Sequence, residues 1–212
     1  WYIGGAFTNV GGVARTNLAH VAANGTVTSW NPGANGTVYA IATSGSSVVA
    51  GGGFTFSGGQ TRNNLVMLDG ITGLATPWNP NANNLVGAVL VDGTTVYAGG
   101  NFTNVGGQAR VGLAALDAGT GLATSWNPNP NNAVYALARN GATMIIGGVF
   151  TTVGGQARNR IAEVDLTTAT PTAWNPNANN RVSALAVDGT TIYAGGYFTA
   201  IGGEVRGRLA AI

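Results

Sequence analysis

Short apolar runs separated by turn residues recur along this chain, and none alternates cleanly between apolar and polar positions. In the run Thr95–Thr103, valine, alanine, glycine and phenylalanine fall on one side, while tyrosine and glycine lead on the other. Side chains alternate across a strand, so a strand with one solvated face would show polar residues at every second position. The pattern predicts an all-β protein whose sheets are covered on both faces.

The apolar pattern returns with a period of 48 residues. A phenylalanine that follows a glycine pair and precedes threonine recurs at spacings of 47, 48, 48 and 48, at Phe7, Phe54, Phe102, Phe150 and Phe198. The repeat divides a single domain, 1–212, into five units at approximately 1–36, 37–84, 85–132, 133–180 and 181–212. A fixed period of this length indicates a repeat architecture.

Each full unit is expected to form four antiparallel strands. In the third unit these are strand A at Val86–Val91, strand B at Thr95–Thr103, strand C at Arg110–Asp117 and strand D at Leu122–Trp126. Asp-Gly between A and B is a hairpin signal, and the Asn-Pro sequence after strand D ends the ladder. A four-stranded meander covered on both faces by its own copies is a β-propeller blade. A β-solenoid is the alternative, although its rungs are shorter, at about 20–30 residues.

The two ends of the chain carry incomplete units. The first unit starts at strand B, and the last stops at strand C. The sequence therefore predicts a propeller of about five blades with incomplete first and last blades, or part of a larger propeller. Open strand edges invite pairing with another chain, so we expect assembly into a larger complex through these edge blades. A start at Trp1 rather than methionine indicates processing, trimming or a longer parent polypeptide.

Composition narrows the classes of partner. Charged residues make up only 8% of the chain, and the nine basic residues, all arginine, form no cluster, so nucleic acid is not an expected partner. No apolar stretch approaches the length of a membrane span. The absence of cysteine excludes disulfides and thiolate chemistry.

Arginine and tryptophan recur in the units at positions that the strand order places at one end of the blade. Arginine begins strand C and the tryptophan of each Trp-Asn-Pro sequence opens the D–A crossover, whereas aspartates end strand C at the other end. Tryptophan offers a flat surface to a sugar ring, and arginine can bind a carboxylate through two donors. Alternatively, both residues are structural, with tryptophan between blades and arginine on loop carbonyls or an aromatic ring. The candidate binding face comprises Arg15, Arg62, Arg110, Arg158, Arg206, Trp30, Trp78, Trp126 and Trp174.

No combination of residues indicates catalysis. His20 is the single histidine, so neither a catalytic triad nor a typical zinc site is expected. The acids lie mostly at periodic turns rather than as a pair in one cleft, and no dense acidic calcium loop occurs. The Gly-Gly loops lack the lysine and the helix of a phosphate-binding loop. We therefore predict a protein that is not an enzyme and that uses no metal and no cofactor.

The pattern GGxFTxxGGxxRxxLAxLD, followed by TG and a WNPNaN sequence, resembles the delta-60-type repeats of β-propeller proteins exported by bacteria. The resemblance covers the five units, although the first departs from it at His20 and Ala22. It implies an extracellular or cell-surface protein and brings no catalytic residues. A weaker resemblance, to five-bladed animal lectins, comes without a matching sugar-binding motif. We expect a non-catalytic binding or scaffold module with a protein or surface-glycan partner. The alternative is a lectin-like propeller that binds carbohydrate at the Trp/Arg face.

Overall fold

The computed structural model describes all 212 residues as strands, turns and loops, without a helix. The strands, in chain order, are β1 (Tyr2–Gly4), β2 (Asn9–Val10), β3 (Val13–Ala14), β4 (Leu18–His20), β5 (Val38–Ser44), β6 (Ser47–Gly52), β7 (Phe56–Ser57), β8 (Gln60–Thr61), β9 (Leu65–Asp69), β10 (Val86–Asp92), β11 (Thr95–Gly100), β12 (Asn104–Val105), β13 (Gln108–Ala109), β14 (Leu113–Asp117), β15 (Val134–Asn140), β16 (Thr143–Gly148), β17 (Thr152–Val153), β18 (Gln156–Ala157), β19 (Ile161–Asp165), β20 (Val182–Asp188), β21 (Thr191–Gly196), β22 (Ala200–Ile201), β23 (Glu204–Val205) and β24 (Leu209–Ala211).

Units two to five each fold into a three-stranded antiparallel sheet in the order A-B-C. These sheets are β5-β6-β9, β10-β11-β14, β15-β16-β19 and β20-β21-β24. The first unit contributes the two-stranded sheet β1-β4, which corresponds to strands B and C. Between B and C, every unit inserts a small hairpin: β2-β3, β7-β8, β12-β13, β17-β18 or β22-β23.

The predicted fourth strand is reduced to a single bridge, so the expectation of four-stranded blades is corrected to three strands. In the third unit, segment D contributes only the bridge between Leu116 and Ala123. The Thr124 amide still donates to the Ala115 carbonyl at 2.9 Å, but the Thr124 carbonyl accepts from the Arg110 guanidinium. The ladder ends there because a side chain takes the next backbone acceptor and Asn-Pro follows.

Strands B and C are shorter than predicted, and strand C starts late because the residue directly before it is left-handed. Strand B ends at Gly100 and strand C begins at Leu113, after Gly112 with φ of 65°. A ladder requires extended backbone, so a residue at positive φ stops it. The same position is left-handed in the other units, at Asn17, Asn64, Arg160 and Arg208.

In units two and three, the tip of the inserted hairpin covers the free edge of segment D. Gly106 accepts from the Ala123 amide at 3.0 Å and donates to the Pro80 carbonyl of the preceding unit at 2.7 Å. Its φ is 61°, and a Cβ here would lie 2.4 Å from the Ala123 nitrogen. The hairpin therefore protects an edge that could pair with another chain, and only glycine fits at its tip.

Consecutive sheets pack face to face, and the core consists of the layers between them. Each of the four buried apolar clusters joins two neighbouring units. Between units three and four, for example, Leu113 and Trp126 pack with Val134, Met144 and Phe150. The A strands β5, β10, β15 and β20 also contact one another in sequence order. An all-β chain of repeated antiparallel sheets packed in this way fits a β-propeller.

Candidate functional site

The repeated arginines bind carbonyls of their own unit. Arg62 donates through Nη1 to the Thr61 carbonyl at 2.9 Å and through Nη2 to the Thr76 carbonyl at 2.7 Å. Arg15, Arg110 and Arg158 make the same pair of bonds. Arg206 is exposed and its guanidinium makes no hydrogen bond within the chain. Four of the five predicted arginines thus fasten segment D to the start of strand C.

The repeated tryptophans connect neighbouring units. Trp78 is 3% exposed, and its indole Nε1 donates to the Asp117 carbonyl of the next unit at 2.9 Å. Trp30 and Trp126 bond the equivalent carbonyls at 3.0 Å. Trp174 is half-buried and its indole makes no such bond. The predicted separation of tryptophan from aspartate is therefore wrong, because the rings extend across the interface to the turns that carry the aspartates.

A cleft beside Trp126 is the largest surface feature near the predicted Trp/Arg face. It has a volume of about 470 Å³ and lies between Thr124 and the turn Leu166–Ala169. Trp126 itself is buried, and its ring packs edge-on against Tyr97 at a centroid distance of 5.2 Å. The ring therefore offers a sugar little of its flat surface. Ligand binding at this face stays a prediction, while the contacts of the tryptophans and arginines are structural.

The periodic aspartates organise turns. The Oδ1 of Asp117 accepts from the Thr120 hydroxyl at 2.8 Å and the Thr120 amide at 2.7 Å, and these bonds hold the pKa of Asp117 below its usual value. The pKa values of Asp69 and Asp165 are lowered in the same way, chiefly by the amides of Thr72 and Thr168. Each carboxylate is thus an acceptor for its own turn.

His20 packs against an aromatic ring and lies within hydrogen-bonding distance of a threonine hydroxyl. Its ring lies 4.6 Å from the Tyr2 ring, and its Nδ1 is 3.1 Å from the Thr28 hydroxyl. Burial, followed by the charge of the terminal ammonium group, lowers the pKa of His20. The ring therefore packs against Tyr2 and bonds the Thr28 hydroxyl.

A second concave site lies where the A strands begin, and the repeat pattern did not indicate it. Each A strand carries a bulge in its pairing with strand B, between Val86 and Ala88 in the third unit. Bulges redirect a side chain and are common next to functional sites. The bulged residues of units two to five are Tyr39, Gly87, Tyr135 and Ser183. All four line one cavity of about 350 Å³, here named the inner-strand pocket, together with Leu85, Asn101 and Arg181.

Arg181 supplies the charge of the inner-strand pocket. Its guanidinium lies 5.1 Å from the centre of the Tyr135 ring and 4.7 Å from that of Tyr197. Its Nε donates to the Ser183 hydroxyl at 2.8 Å, and its Nη1 and Nη2 make no hydrogen bond within the chain. No acidic residue lines the pocket. An arginine held between two aromatic rings with free terminal donors is oriented for an incoming anion.

The two ends of the row of units present apolar faces. We call the side of a unit that packs on the next unit its forward face, and the opposite side its backward face. On the forward face of the last unit, Leu209 is 69% exposed, whereas the equivalent Leu113 is fully buried against unit four. On the backward face of the first unit, Trp1 is 82% exposed, and Ile3, Phe7 and Val10 are half-buried. Both faces correspond to surfaces that are core elsewhere in the chain.

Sequence reasoning missed the inner-strand pocket because it selected what every unit shares. The pocket positions are the ones that differ: Thr37, Leu85, Ala133 and Arg181 occupy one position, and the four bulged residues occupy another. Between them, valine stands in every unit, at Val38, Val86, Val134 and Val182. Variation beside a constant position was the available signal, since loops and rims specialise while shared residues build the unit.

The comparisons with known proteins agree with a propeller fold. A family described as a domain of unknown function (DUF5122) β-propeller matches residues 1–27. No curated protein matches the sequence. The computationally designed Ika4 protein is 17% identical with a TM-score of 0.57, over 85% of this chain and 92% of its own. The designed Ika8 protein is 20% identical with a TM-score of 0.56, over 92% and 55% respectively.

A chain of the mitotic checkpoint complex is also similar in structure. It is 17% identical with a TM-score of 0.61, and the match covers 84% of this chain and 51% of that chain. The present chain therefore spans about half the length of this neighbour and of Ika8. At such identities the similarity concerns the fold alone. The chain contains no helix that is long and apolar enough to span a bilayer.

Proposed function

We propose that this chain is a non-catalytic scaffold module that assembles head to tail with further copies of itself. The observation that carries this function is the exposed forward face of the last unit. Leu209 and Tyr193 are exposed there, although Leu113 and Tyr97 at the same positions are buried by the following unit. An apolar face of this kind marks an interaction site.

A second copy of the chain fits this face better than an unrelated partner. The interface between a forward and a backward face already occurs four times within the chain. The first unit exposes a backward face that carries Trp1, Ile3 and Phe7. One chain therefore carries both halves of a contact that recurs between its own units, and pairing them between copies gives a heterologous, head-to-tail arrangement. Protein interaction is also consistent with the propeller neighbour from the mitotic checkpoint complex, an assembly of proteins.

The test is the oligomeric state of paired surface variants. Leu209→Glu places a charge on the forward face, and Trp1→Glu places one on the backward face. We expect the parent chain to associate as its concentration rises and each variant to be monomeric in sedimentation velocity. The two variants mixed should form a one-to-one dimer, because each retains the face that the other has lost. Leu122→Glu, at a leucine 60% exposed in a turn away from both faces, should associate like the parent.

Two outcomes would overturn the assembly. A parent chain that stays monomeric up to about 1 mM has no specific self-association of useful strength. A Trp1→Glu variant that still self-associates uses the forward face twice, which contradicts a head-to-tail contact.

The repeated Trp/Arg face does not support the lectin-like alternative. Trp30, Trp78 and Trp126 are buried and bonded to neighbouring carbonyls, so they present no platform for a sugar. The non-catalytic role is supported by the turn-building role of the aspartates, whose carboxylates accept hydrogen bonds from their own turns.

Export to the bacterial cell surface is part of the proposed function. It is supported by the resemblance of the repeat to exported propellers and by the absence of cysteine, which makes the fold independent of redox conditions. Protease added to intact producing cells should degrade a surface-exposed chain. Complete protection in intact cells, with degradation after lysis, would place the chain inside the cell.

A further inference from the structure

We propose that the inner-strand pocket binds an acidic sugar residue, with the carboxylate on Arg181 and the sugar ring on the exposed ring of Tyr39. At this pocket the backbone conformation is the same in every unit, but the side chains differ from unit to unit. Every A strand has the same bulge after the same valine, yet the bulged residue is tyrosine, glycine, tyrosine or serine. Side chains that only build the unit have no reason to differ at identical backbone positions.

The charge of the pocket lining favours an anionic ligand. Arg181 is the one ionisable cation in the lining, and no carboxylate lines the pocket. The acids of the A strands, Asp92 and Asp188, stand at the opposite strand ends, about 16 Å from the bulge at a rise of about 3.3 Å per residue. Tyr135, Tyr197 and Ser183 orient the Arg181 guanidinium and leave both terminal nitrogens free. A planar guanidinium with two free donors matches a carboxylate.

The remaining lining suits a sugar ring. Tyr39 is 58% exposed and stands in the wall of the pocket, so a flat apolar surface is open to solvent. Gly87 has no side chain, so nothing at this position fills the space beside the Tyr135 ring. The Asn101 amide and the Ser183 hydroxyl provide polar partners for hydroxyl groups. A volume of about 350 Å³ lies within the range of small-ligand sites.

A carboxylate fits the pocket better than a phosphate does. A phosphate group carries close to two charges at neutral pH, and a single guanidinium would leave part of that charge without a partner. A uronic acid carries one charge on a group that a single arginine binds through two donors. We therefore assign the ligand class as uronic-acid residues of an acidic glycan.

The test is calorimetric titration of the Leu209→Glu variant, which is expected to be monomeric, so that binding is measured apart from assembly. The probes are a galacturonic acid trisaccharide, the matched neutral galactose trisaccharide, and inorganic phosphate. We expect the acidic sugar to bind at least about tenfold more tightly than either of the others. Arg181→Gln should weaken acidic-sugar binding by about tenfold or more, and raised salt should weaken it in the parent.

Arg139→Gln is the matched control, because Arg139 lies near the far end of an A strand and pairs with Asp92. It should bind the acidic sugar like the parent. Tyr39→Ala, at an exposed ring whose loss does not threaten folding, should also weaken binding. Equal affinity for the acidic and neutral sugars, tighter binding of phosphate, or full affinity in Arg181→Gln would each overturn the assignment, even if head-to-tail assembly is found.

Discussion

Replacing one tryptophan with phenylalanine measures the contact that joins neighbouring units. In Trp78→Phe, the hydrogen bond from the indole to the Asp117 carbonyl is lost, at a net cost of about 0.5–1.5 kcal/mol. The carbonyl does not become unsatisfied, because it also accepts from the Gly121 amide at 2.9 Å. The smaller ring leaves a gap in a buried cluster, which adds about 1–2 kcal/mol. The expected loss of unfolding free energy is therefore about 1.5–3.5 kcal/mol.

Trp174→Phe is the matched control within the same repeat. Trp174 is half-buried and its indole makes no hydrogen bond within the chain, so only part of the packing term applies, about 1 kcal/mol. Urea unfolding followed by far-ultraviolet circular dichroism is suitable, because the signal does not depend on the removed fluorophore. We expect the midpoint of Trp78→Phe to lie about 0.5–1 M urea below that of Trp174→Phe. Equal midpoints would refute the idea that the indole bond stabilises the interface.

Three further predictions concern the turns and the left-handed positions. Gly106→Ala should lower the melting temperature by about 6–12 °C, and Gly107→Ala should lower it by about 2–4 °C. Both glycines have positive φ, but only at Gly106 would a Cβ lie against the Ala123 amide. Equal shifts in the two variants would contradict this reasoning. Arg160→Asn should raise the free energy of unfolding, measured in urea, by about 0.5–1 kcal/mol. Asparagine tolerates the left-handed backbone at this position and can still donate to the Ala178 carbonyl. A lower free energy of unfolding in the variant would contradict this reasoning. The turn aspartates have lowered pKa values in the fold, so their stabilisation is present above about pH 4 and is lost as pH falls through the folded values. A melting series from pH 7 to pH 2 should therefore show a flatter acid limb after asparagine replaces all three residues, Asp69, Asp117 and Asp165.

The strands could be predicted where local pattern alone decides them. The sequence predicts strand A at Val86–Val91 and the structure has it at Val86–Asp92, because an apolar run and the following Asp-Gly turn define both ends. Strand B was extended three residues too far, to Thr103, since the Asn-Phe-Thr sequence continues the apolar pattern. Strand C is predicted from Arg110 but begins at Leu113, because Gly112 is left-handed, and that conformation leaves no mark in the alternation of residues.

The candidate site was predicted less well than the strands. The arginines were selected for their regular spacing, and four of them bind backbone carbonyls inside their own units. Arg181 stands outside the series that repeats in every unit, so spacing gave it no weight, yet its terminal donors are free in a pocket. Regular recurrence finds residues that build a repeat, and a site is built from departures from it.

The sequence by itself determined the period, the strand-rich composition of each unit, the burial of both faces and the position of the turns. These properties depend on residues close together in the chain, where side-chain alternation and turn preferences act directly. Only the tertiary structure decided that Trp78 reaches Asp117 and that bulges from four units line one pocket. Those contacts join residues about one repeat apart, so they exist only once the sheets have packed, and the packing geometry rather than local pattern fixes which side chains meet.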